Sequence, residues 1–103
     1  MQKIPVDAIP NQTFNITLNE QSCTIHLYQR GDYLYMDLSV NGEVIRQGMI
    51  CLVDISLLQY TVQGFSGYLF FTDMRGAGGT PTYTELGSRY ILFYATEEEM
   101  ADV

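Results

Sequence analysis

The segment RGAGGT, at residues 75–80, is the stretch of this sequence whose composition best suits chemistry. It follows an apolar run, YLFFTD, and glycine-rich loops that follow strands often hold the phosphates of a nucleotide. The segment lacks both the Gly-Lys-Ser/Thr ending and the GxGxxG spacing of the known phosphate loops. The residues that follow it, TPTY, predict a turn or an extended segment and not a helix whose N-terminus would bind an anion. We therefore interpret the loop as a flexible connector.

His26 is the single histidine of the chain, so any dyad of a nucleophile and a histidine has to include it. It lies in an alternating segment, with Thr24 and Tyr28 on its own face and Ile25 and Leu27 on the other. This pattern is typical of an ordinary strand residue on the more polar face of a sheet.

The other residue types that support catalysis or metal binding show no useful spacing. A zinc site needs three or four His, Cys or carboxylate ligands, and no such set stands out in the sequence. Carboxylates can pair for acid–base catalysis, but nothing in the sequence brings two of them together. The carboxylates considered are Asp37, Asp54, Asp73, Glu85 and Glu97. We expect no metal, no cofactor and no enzymatic activity.

The two cysteines, Cys23 and Cys51, have neither CxxC spacing nor a matching pair of histidines. In a reducing compartment such residues are usually free thiols that pack as small apolar side chains. We predict that both are core residues without a disulfide bond.

The charge of the chain argues against a nucleic-acid partner. The net charge is −7, and the five basic residues are spread along all 103 positions, whereas proteins that contact phosphates present a basic stripe. No apolar stretch has the length of a signal peptide or a membrane span. The sequence thus predicts a soluble protein made in a cytoplasm, without a membrane partner.

The clearest structural signal is a β-hairpin over residues 33–49. Apolar and polar residues alternate from 33 to 40, and Asn41-Gly42 then supplies the dipeptide preferred in type I′ turns. A two-residue turn predicts pairs of Val40 with Glu43, Leu38 with Ile45 and Leu34 with Met49. These pairs would place Ile45 and Met49 on the same face as the leucines.

The rest of the sequence predicts an all-β protein with little or no helix. Alternation at 14–18 and 23–27 indicates two more strands, and GYLFFTD and RYILFYA are continuous apolar runs. Such runs suit strands that are buried on both faces, or strands whose outer face contacts another subunit. Hairpins in series predict a small antiparallel β-sandwich or a β-barrel.

The chain is predicted to form a single β domain over residues 1–96, followed by an acidic, frayed tail over 97–103. The middle segment, VDISLLQYTVQGFSG, is ambiguous. It fits either a short helical turn at 55–58 or a bulged crossover.

Residues 4–48 resemble the start of the phage baseplate plug family, small proteins of contractile-tailed bacteriophages. Four landmarks carry the resemblance in order: IPNQTF at 9–14, the hairpin YLYMDLSVNGEVI, GFSGYLFFTD at 64–73 and PTYTELGSRYILFY at 81–94. The sequence departs from the family pattern at GAGG, where a more acidic loop is expected before the proline.

The resemblance implies a structural protein of the virion, placed at the centre of the tail baseplate near the hub where the tail tube begins. It implies other baseplate and tail proteins as partners, and copies of the chain itself. The expected interface candidates are Tyr33, Tyr35, Tyr60, Phe65, Arg75 and Tyr83. Exposed tyrosines of this kind often mark contact surfaces.

Two other functions fit the same residues. A free-standing β-sandwich that binds a peptide or a carbohydrate would use Tyr33, Tyr35 or Tyr60 as its platform. A small hydrolase would need His26 together with a serine or a cysteine.

Overall fold

The computed structural model describes residues 2–53 and 64–101. They form seven strands, one 3₁₀ helix and one short α-helix. The strands are β1 (Gln2–Ile4), β2 (Asn11–Leu18), β3 (Gln21–Arg30), β4 (Tyr33–Val40), β5 (Glu43–Ile50), β6 (Tyr68–Asp73) and β7 (Tyr90–Ala95). The 3₁₀ helix is Tyr83–Glu85 and the α-helix, α1, is Glu97–Ala101.

The strands build two antiparallel sheets that pack as a β-sandwich. One sheet has the order β2-β3-β4-β5, a simple meander, and the other has the order β1-β7-β6. Buried side chains of both sheets form one hydrophobic cluster. The predicted all-β class is therefore confirmed, and the sandwich rather than the barrel is the observed form.

The four-stranded sheet follows from period-two alternation and tight turns. Cys23, Ile25 and Leu27 of β3 are buried, and the residues between them are half-buried on the opposite face. Asn19 and Glu20, both with positive φ, form the two-residue turn between β2 and β3. β2, β3 and β4 were predicted from their alternation and β5 from the turn that precedes it, and all four are confirmed.

The Asn41-Gly42 hairpin is confirmed, but its predicted register is only partly right. Both turn residues have positive φ, and Val40 pairs with Glu43 as expected. The predicted pairs of Leu38 with Ile45 and of Leu34 with Met49 are wrong, since Leu38 faces Arg46 and Met36 faces Met49.

The predicted pairs fail because the pairing between β4 and β5 is interrupted at two points. The register shifts twice, between Met36 and Leu38 and between Leu38 and Ser39, as β-bulges do by inserting extra residues into one strand. Ile45 and Met49 nevertheless pack against the core, so the predicted face is correct.

The two continuous apolar runs are strands β6 and β7, which pair in antiparallel register from Tyr68 with Ala95 to Asp73 with Tyr90. β7 is the central strand of its sheet and is buried at every position except Phe93. β6 alternates, with half-buried Phe70 stacked on Phe93 across the outer face, ring centroids 5.9 Å apart. β1, which pairs with the other side of β7, was not predicted.

The acidic C-terminal segment is helical where a frayed tail was expected. Thr96 Oγ1 accepts a hydrogen bond from the Glu99 N–H, and a Glu99 carboxylate oxygen accepts one from the Thr96 N–H. This reciprocal arrangement is a capping box, which stabilises the first turn of a helix. Residues 54–63, where the sequence fits either a short helical turn or a bulged crossover, lie outside the described residues. The division into one domain and a tail stays a prediction.

Candidate interaction surfaces

A group of polar and aromatic side chains lies on the outer face of the four-stranded sheet, centred on Asp37. One Asp37 carboxylate oxygen, Oδ1, accepts hydrogen bonds from the Gly48 N–H (2.7 Å) and the Tyr28 hydroxyl (3.3 Å). The other, Oδ2, lies 3.2 Å from His26 Nδ1. The carboxylate thereby connects strands β3, β4 and β5 at the position where the register shifts.

An aromatic row runs through the same group. The ring of Tyr28 stacks on His26 (4.7 Å between centroids) and on Tyr35 (5.9 Å). Partial burial, and then the charge of Asp37, raise the pKa of Tyr28 above its ordinary value. The Tyr28 hydroxyl therefore stays a hydrogen-bond donor at neutral pH.

Polar side chains hold the His26 ring at both of its nitrogen atoms. Its Nε2 lies 2.9 Å from Asn11 Oδ1, and its Nδ1 faces Asp37, so both ring nitrogens are engaged. Cys23 and Cys51 are free thiols buried in the core, as predicted. Among the described residues, no group of three or more His, Cys, Asp and Glu side chains is arranged to hold a metal ion.

The RGAGGT loop is organised around a carboxylate of the protein itself. Asp73 ends β6 with its side chain only 2% exposed. Its Oδ1 accepts the Arg75 N–H (2.9 Å), and its Oδ2 accepts the Gly79 N–H (3.2 Å). Backbone amides that a phosphate loop would direct at its ligand are here bound to Asp73.

Arg89, next to the start of β7, completes this cluster. Its guanidinium donates to both Asp73 carboxylate oxygens, at 2.9 and 3.0 Å. It also donates to Glu85 (3.3 Å) and lies 4.9 Å above the ring of Tyr90. The Arg89 hydrogen bonds hold the pKa of Asp73 well below its ordinary value, and Asp73 in turn raises the pKa of Arg89.

Gly79 leaves room for two side chains where the loop closes on this cluster. A Cβ at that position would lie 2.6 Å from the Tyr90 hydroxyl and 2.7 Å from an Arg89 nitrogen. The residues after the loop are extended at Thr82 and then form the 3₁₀ helix. This geometry supports a connector and not a phosphate site. The flexibility of the loop stays a prediction.

The sequence did not reveal that Asp73 and Arg89 meet. The signal was present in the two apolar runs, because antiparallel pairing of YLFFTD with RYILFYA brings the end of one beside the start of the other. The second carboxylate neighbour of Arg89, Glu85, lies only four residues before it in the chain.

The structure places the predicted interface residues in different settings. Tyr33 is exposed, with 44% of its surface accessible, whereas Tyr35 is half-buried in the aromatic row. Phe65 is only 6% exposed and packs edge-on against Tyr94, so it belongs to the core and has little surface for a partner. Tyr60 lies outside the described residues.

The other two candidates lie near one end of the sandwich. The Arg75 side chain is 68% exposed and lies 3.8 Å from Glu85 in the 3₁₀ helix. Tyr83, in the same helix, donates its N–H to the Gln29 side chain, and Gln29 pairs with Leu34. Tyr33 is next to Leu34, so contacts connect Arg75 and Tyr83 to the exposed Tyr33.

A protein-family model matches this chain over residues 1–98, and its description is cyanophage baseplate Pam3 plug gp18. The match spans both sheets and all four landmarks of the sequence. The chain belongs to this baseplate plug family. No curated protein matches the chain.

Membership of the baseplate plug family confirms the resemblance drawn from the sequence. The family description names a part of the phage baseplate, which is a structural assembly. In the described part of this plug-family chain, no helix is long and apolar enough to cross a membrane.

Proposed function

We propose that the protein is a structural, non-enzymatic plug of a contractile phage tail, bound to the hub near the start of the tail tube. The observation that carries this proposal is the family match over residues 1–98. The polar group on the outer sheet face supports it, because His26 is held by Asp37 and Asn11 in a bonded network rather than beside a nucleophile.

The partners in this proposal are hub proteins, tube-initiating subunits and further copies of the chain. The end of the sandwich that carries Tyr33, Arg75 and Tyr83 is the surface we assign to them. It combines tyrosines with an arginine, and both residue types are enriched in protein interfaces. The site of action is the virion, after assembly in the cytoplasm of the bacterial host.

The distribution of charge fits this location. The net charge is −7, and acidic side chains are exposed at the turns and in α1: Asp7, Glu20, Asp32, Glu43, Glu97 and Glu98. Such a surface keeps the free subunit soluble and repels DNA, which suits a position beside a tube lumen. A baseplate structure in which these side chains point away from the channel would contradict the lumen assignment.

Quantitative mass spectrometry of purified particles from a phage that carries this gene tests the proposal. We expect a few copies per tail, in a multiple of three. Complementation of a deletion phage with Tyr33→Ala plus Arg75→Ala should lower this copy number, whereas Val44→Ala, at an exposed position on β5, should not. Absence of the wild-type protein from particles would overturn the proposal.

The RGAGGT loop provides a second readout of assembly. The loop is expected to be mobile in the free protein and ordered by a neighbour in the baseplate. Hydrogen exchange of the amides at 77 and 78 should therefore slow on assembly, whereas the Gly76 N–H is already bonded to the Asp73 carbonyl oxygen in the free chain. Equal, fast exchange in the free and assembled states would remove the loop from the interface.

A binding module for a carbohydrate or peptide is the second candidate function. The stacked row of His26, Tyr28 and Tyr35, with Asp37 beside it, is the observation that favours it. Calorimetric titration of the isolated protein with oligosaccharides and peptides tests this function, with Tyr35→Ala as the variant expected to lose binding. Saturable binding that Tyr35→Ala leaves unchanged would exclude this face as the site.

A further inference from the structure

Among the described strands, β2 has a neighbour on one side only, and it differs from the other sheet edges of this part of the chain. Edge strands expose unpaired backbone groups, and proteins usually protect them with bulges, charges, proline or short length. β2 pairs with β3 in unbroken register over eight residues, and its sequence NQTFNITL contains no charge, proline or glycine.

Each of the other three edges is protected. β5 has two register shifts, and Gly48 within it has a φ of +68°. β1 has three residues, and the outer side of β6 is partly occupied by a bridge between Phe71 and Val53. Of the described edges, β2 is therefore the one that lacks these protections and can pair with another strand.

The pairing with β3 shows which backbone groups of β2 are free. In an antiparallel ladder, alternate residues bond to the neighbouring strand, and the residues between them direct their N–H and C=O outward. Pro10 accepts the Gln29 N–H at 2.9 Å, and the two-residue turn makes Leu18 and Gln21 the closing bonded pair. The residues of β2 whose backbone faces outward are thus Asn11, Thr13, Asn15 and Thr17.

We propose that β2 pairs with β2 of a second copy of this chain, antiparallel and about a two-fold axis, with Asn15 opposite its own counterpart. This register places Thr13 opposite Thr17. The outward-facing backbone groups of Thr13, Asn15 and Thr17 then face those of the second copy. It forms about six backbone hydrogen bonds, because each bonded pair of an antiparallel ladder contributes two. The two four-stranded sheets become one continuous sheet.

The side chains of β2 are complementary to themselves in this register. On the core-facing side, Phe14 lies opposite Ile16 of the second copy, an aromatic and β-branched pair of the type that stabilises sheets. Both residues are half-buried and already pack against the core. The outer face brings Asn15 beside Asn15 and Thr13 beside Thr17, which adds polar pairs and no charge.

Charge also favours this edge as the place where two copies meet. Each chain has a net charge of −7, so two copies approach most easily through a surface without acidic groups. β2 itself contains no acidic residue, and the nearest one before it, Asp7, is bonded through its backbone to the side chain of Gln12, near the start of the strand. Glu20, in the turn that follows, would lie opposite Pro10 of the second copy and not opposite another carboxylate.

Sedimentation equilibrium of the full chain tests the proposal. We expect a reversible dimer of twice 11.7 kDa, and Asn15→Lys should weaken it at least about tenfold by placing two like charges at the axis. Asn15→Glu should weaken it as well, and an equimolar mixture of the two variants should restore dimers by forming the mixed pair. Val44→Lys, on the opposite edge, adds the same charge and should leave the dimer unchanged.

Circular dichroism and melting curves of each variant separate a lost interface from a lost fold, since Asn15 also accepts a 2.7 Å hydrogen bond from Thr24. A wild-type chain that stays monomeric at millimolar concentration would overturn the proposal. A dimer insensitive to both Asn15 variants would overturn it too and would point to the Phe70 and Phe93 face. The presence of the protein in phage particles is a separate measurement, and it is unaffected by a monomeric chain or by a dimer that forms elsewhere.

Discussion

Asp73 is the residue on which the most local structure depends. A carboxylate buried without partners destabilises a fold strongly, and Asp73 is kept ionised by the Arg89 guanidinium and two backbone amides. These bonds close the RGAGGT loop against β7. One side chain therefore joins the end of β6, the loop and the start of β7.

Asp73→Asn should lower the melting temperature at neutral pH, because it removes the charge that pairs with Arg89. Since the pKa of Asp73 is lowered by folding, this stabilisation is fully present above the ordinary carboxyl pKa of about 4 and is lost as the pH falls below it. The difference between the melting temperatures of the two proteins should narrow as the pH falls from 7 to 2. Asp32→Asn, in an exposed turn, is the matched control; an Asp73→Asn protein as stable as wild type at pH 7 would contradict the assignment.

The two cysteines should be unreactive in the folded protein. Both are buried, and burial raises the pKa of each thiol, which lowers the fraction of reactive thiolate. A thiol reagent such as dithionitrobenzoate should label neither residue in the native state and both in guanidinium chloride. Rapid labelling of a native thiol would mean that the core opens locally there.

Among the elements, the β4–β5 hairpin combines a regular turn with an irregular ladder. Gly48 adopts positive φ beside Asp37, whose carboxylate accepts the Gly48 N–H. A Cβ at Gly48 would lie 4.0 Å from the Tyr28 hydroxyl, an ordinary contact. The requirement for glycine at this position is therefore set by the backbone and not by crowding.

Gly48→Ala should destabilise the protein by about 1–2 kcal/mol, the cost of the left-handed conformation for a residue with a Cβ. Urea unfolding measures this change. Gln47→Ala, next to it in the same strand and exposed, should stay within about 0.5 kcal/mol of wild type. Equal changes in unfolding free energy for Gly48→Ala and Gln47→Ala would show that a Cβ at position 48 adds no strain to the backbone.

At the scale of the whole molecule, stability comes from one core shared by two sheets. Leu38 of β4 is fully buried in the cluster that also contains Leu92 of β7. Leu38→Ala should cost about 2–5 kcal/mol through the lost contacts and the cavity left behind. A domain of this size is stable by only about 5–15 kcal/mol, so the loss is large.

Chemical denaturation measures the effect of Leu38→Ala, with Val44→Ala as its control on an exposed position of the neighbouring strand. The control should change the unfolding free energy by less than about 0.5 kcal/mol. A small effect at Leu38 would mean that the two sheets do not share a rigid core.

Much of the fold was predictable because alternation and turn chemistry are local. Strands β2 to β4 follow from period-two patterns, and Asn41-Gly42 specifies the turn into β5 through positive φ. β1 was not predictable, since three residues carry no period. The helix α1 was missed because its acidic composition suggested a solvated tail, whereas the Thr96 and Glu99 capping box favours a helix.

By itself, the sequence determined the all-β class, the hairpin turns, the buried free thiols and the resemblance to baseplate plugs, because each depends on residue type and short-range spacing. Only the tertiary structure decided the register of β4 with β5, the contact between Asp73 and Arg89, and which edge of the sheet stays open. These features depend on residues that are distant in the chain and on bulges whose energies are small beside the packing of the two sheets. The surface available to a partner is accordingly a property of the fold, and the sequence alone could not have singled out β2.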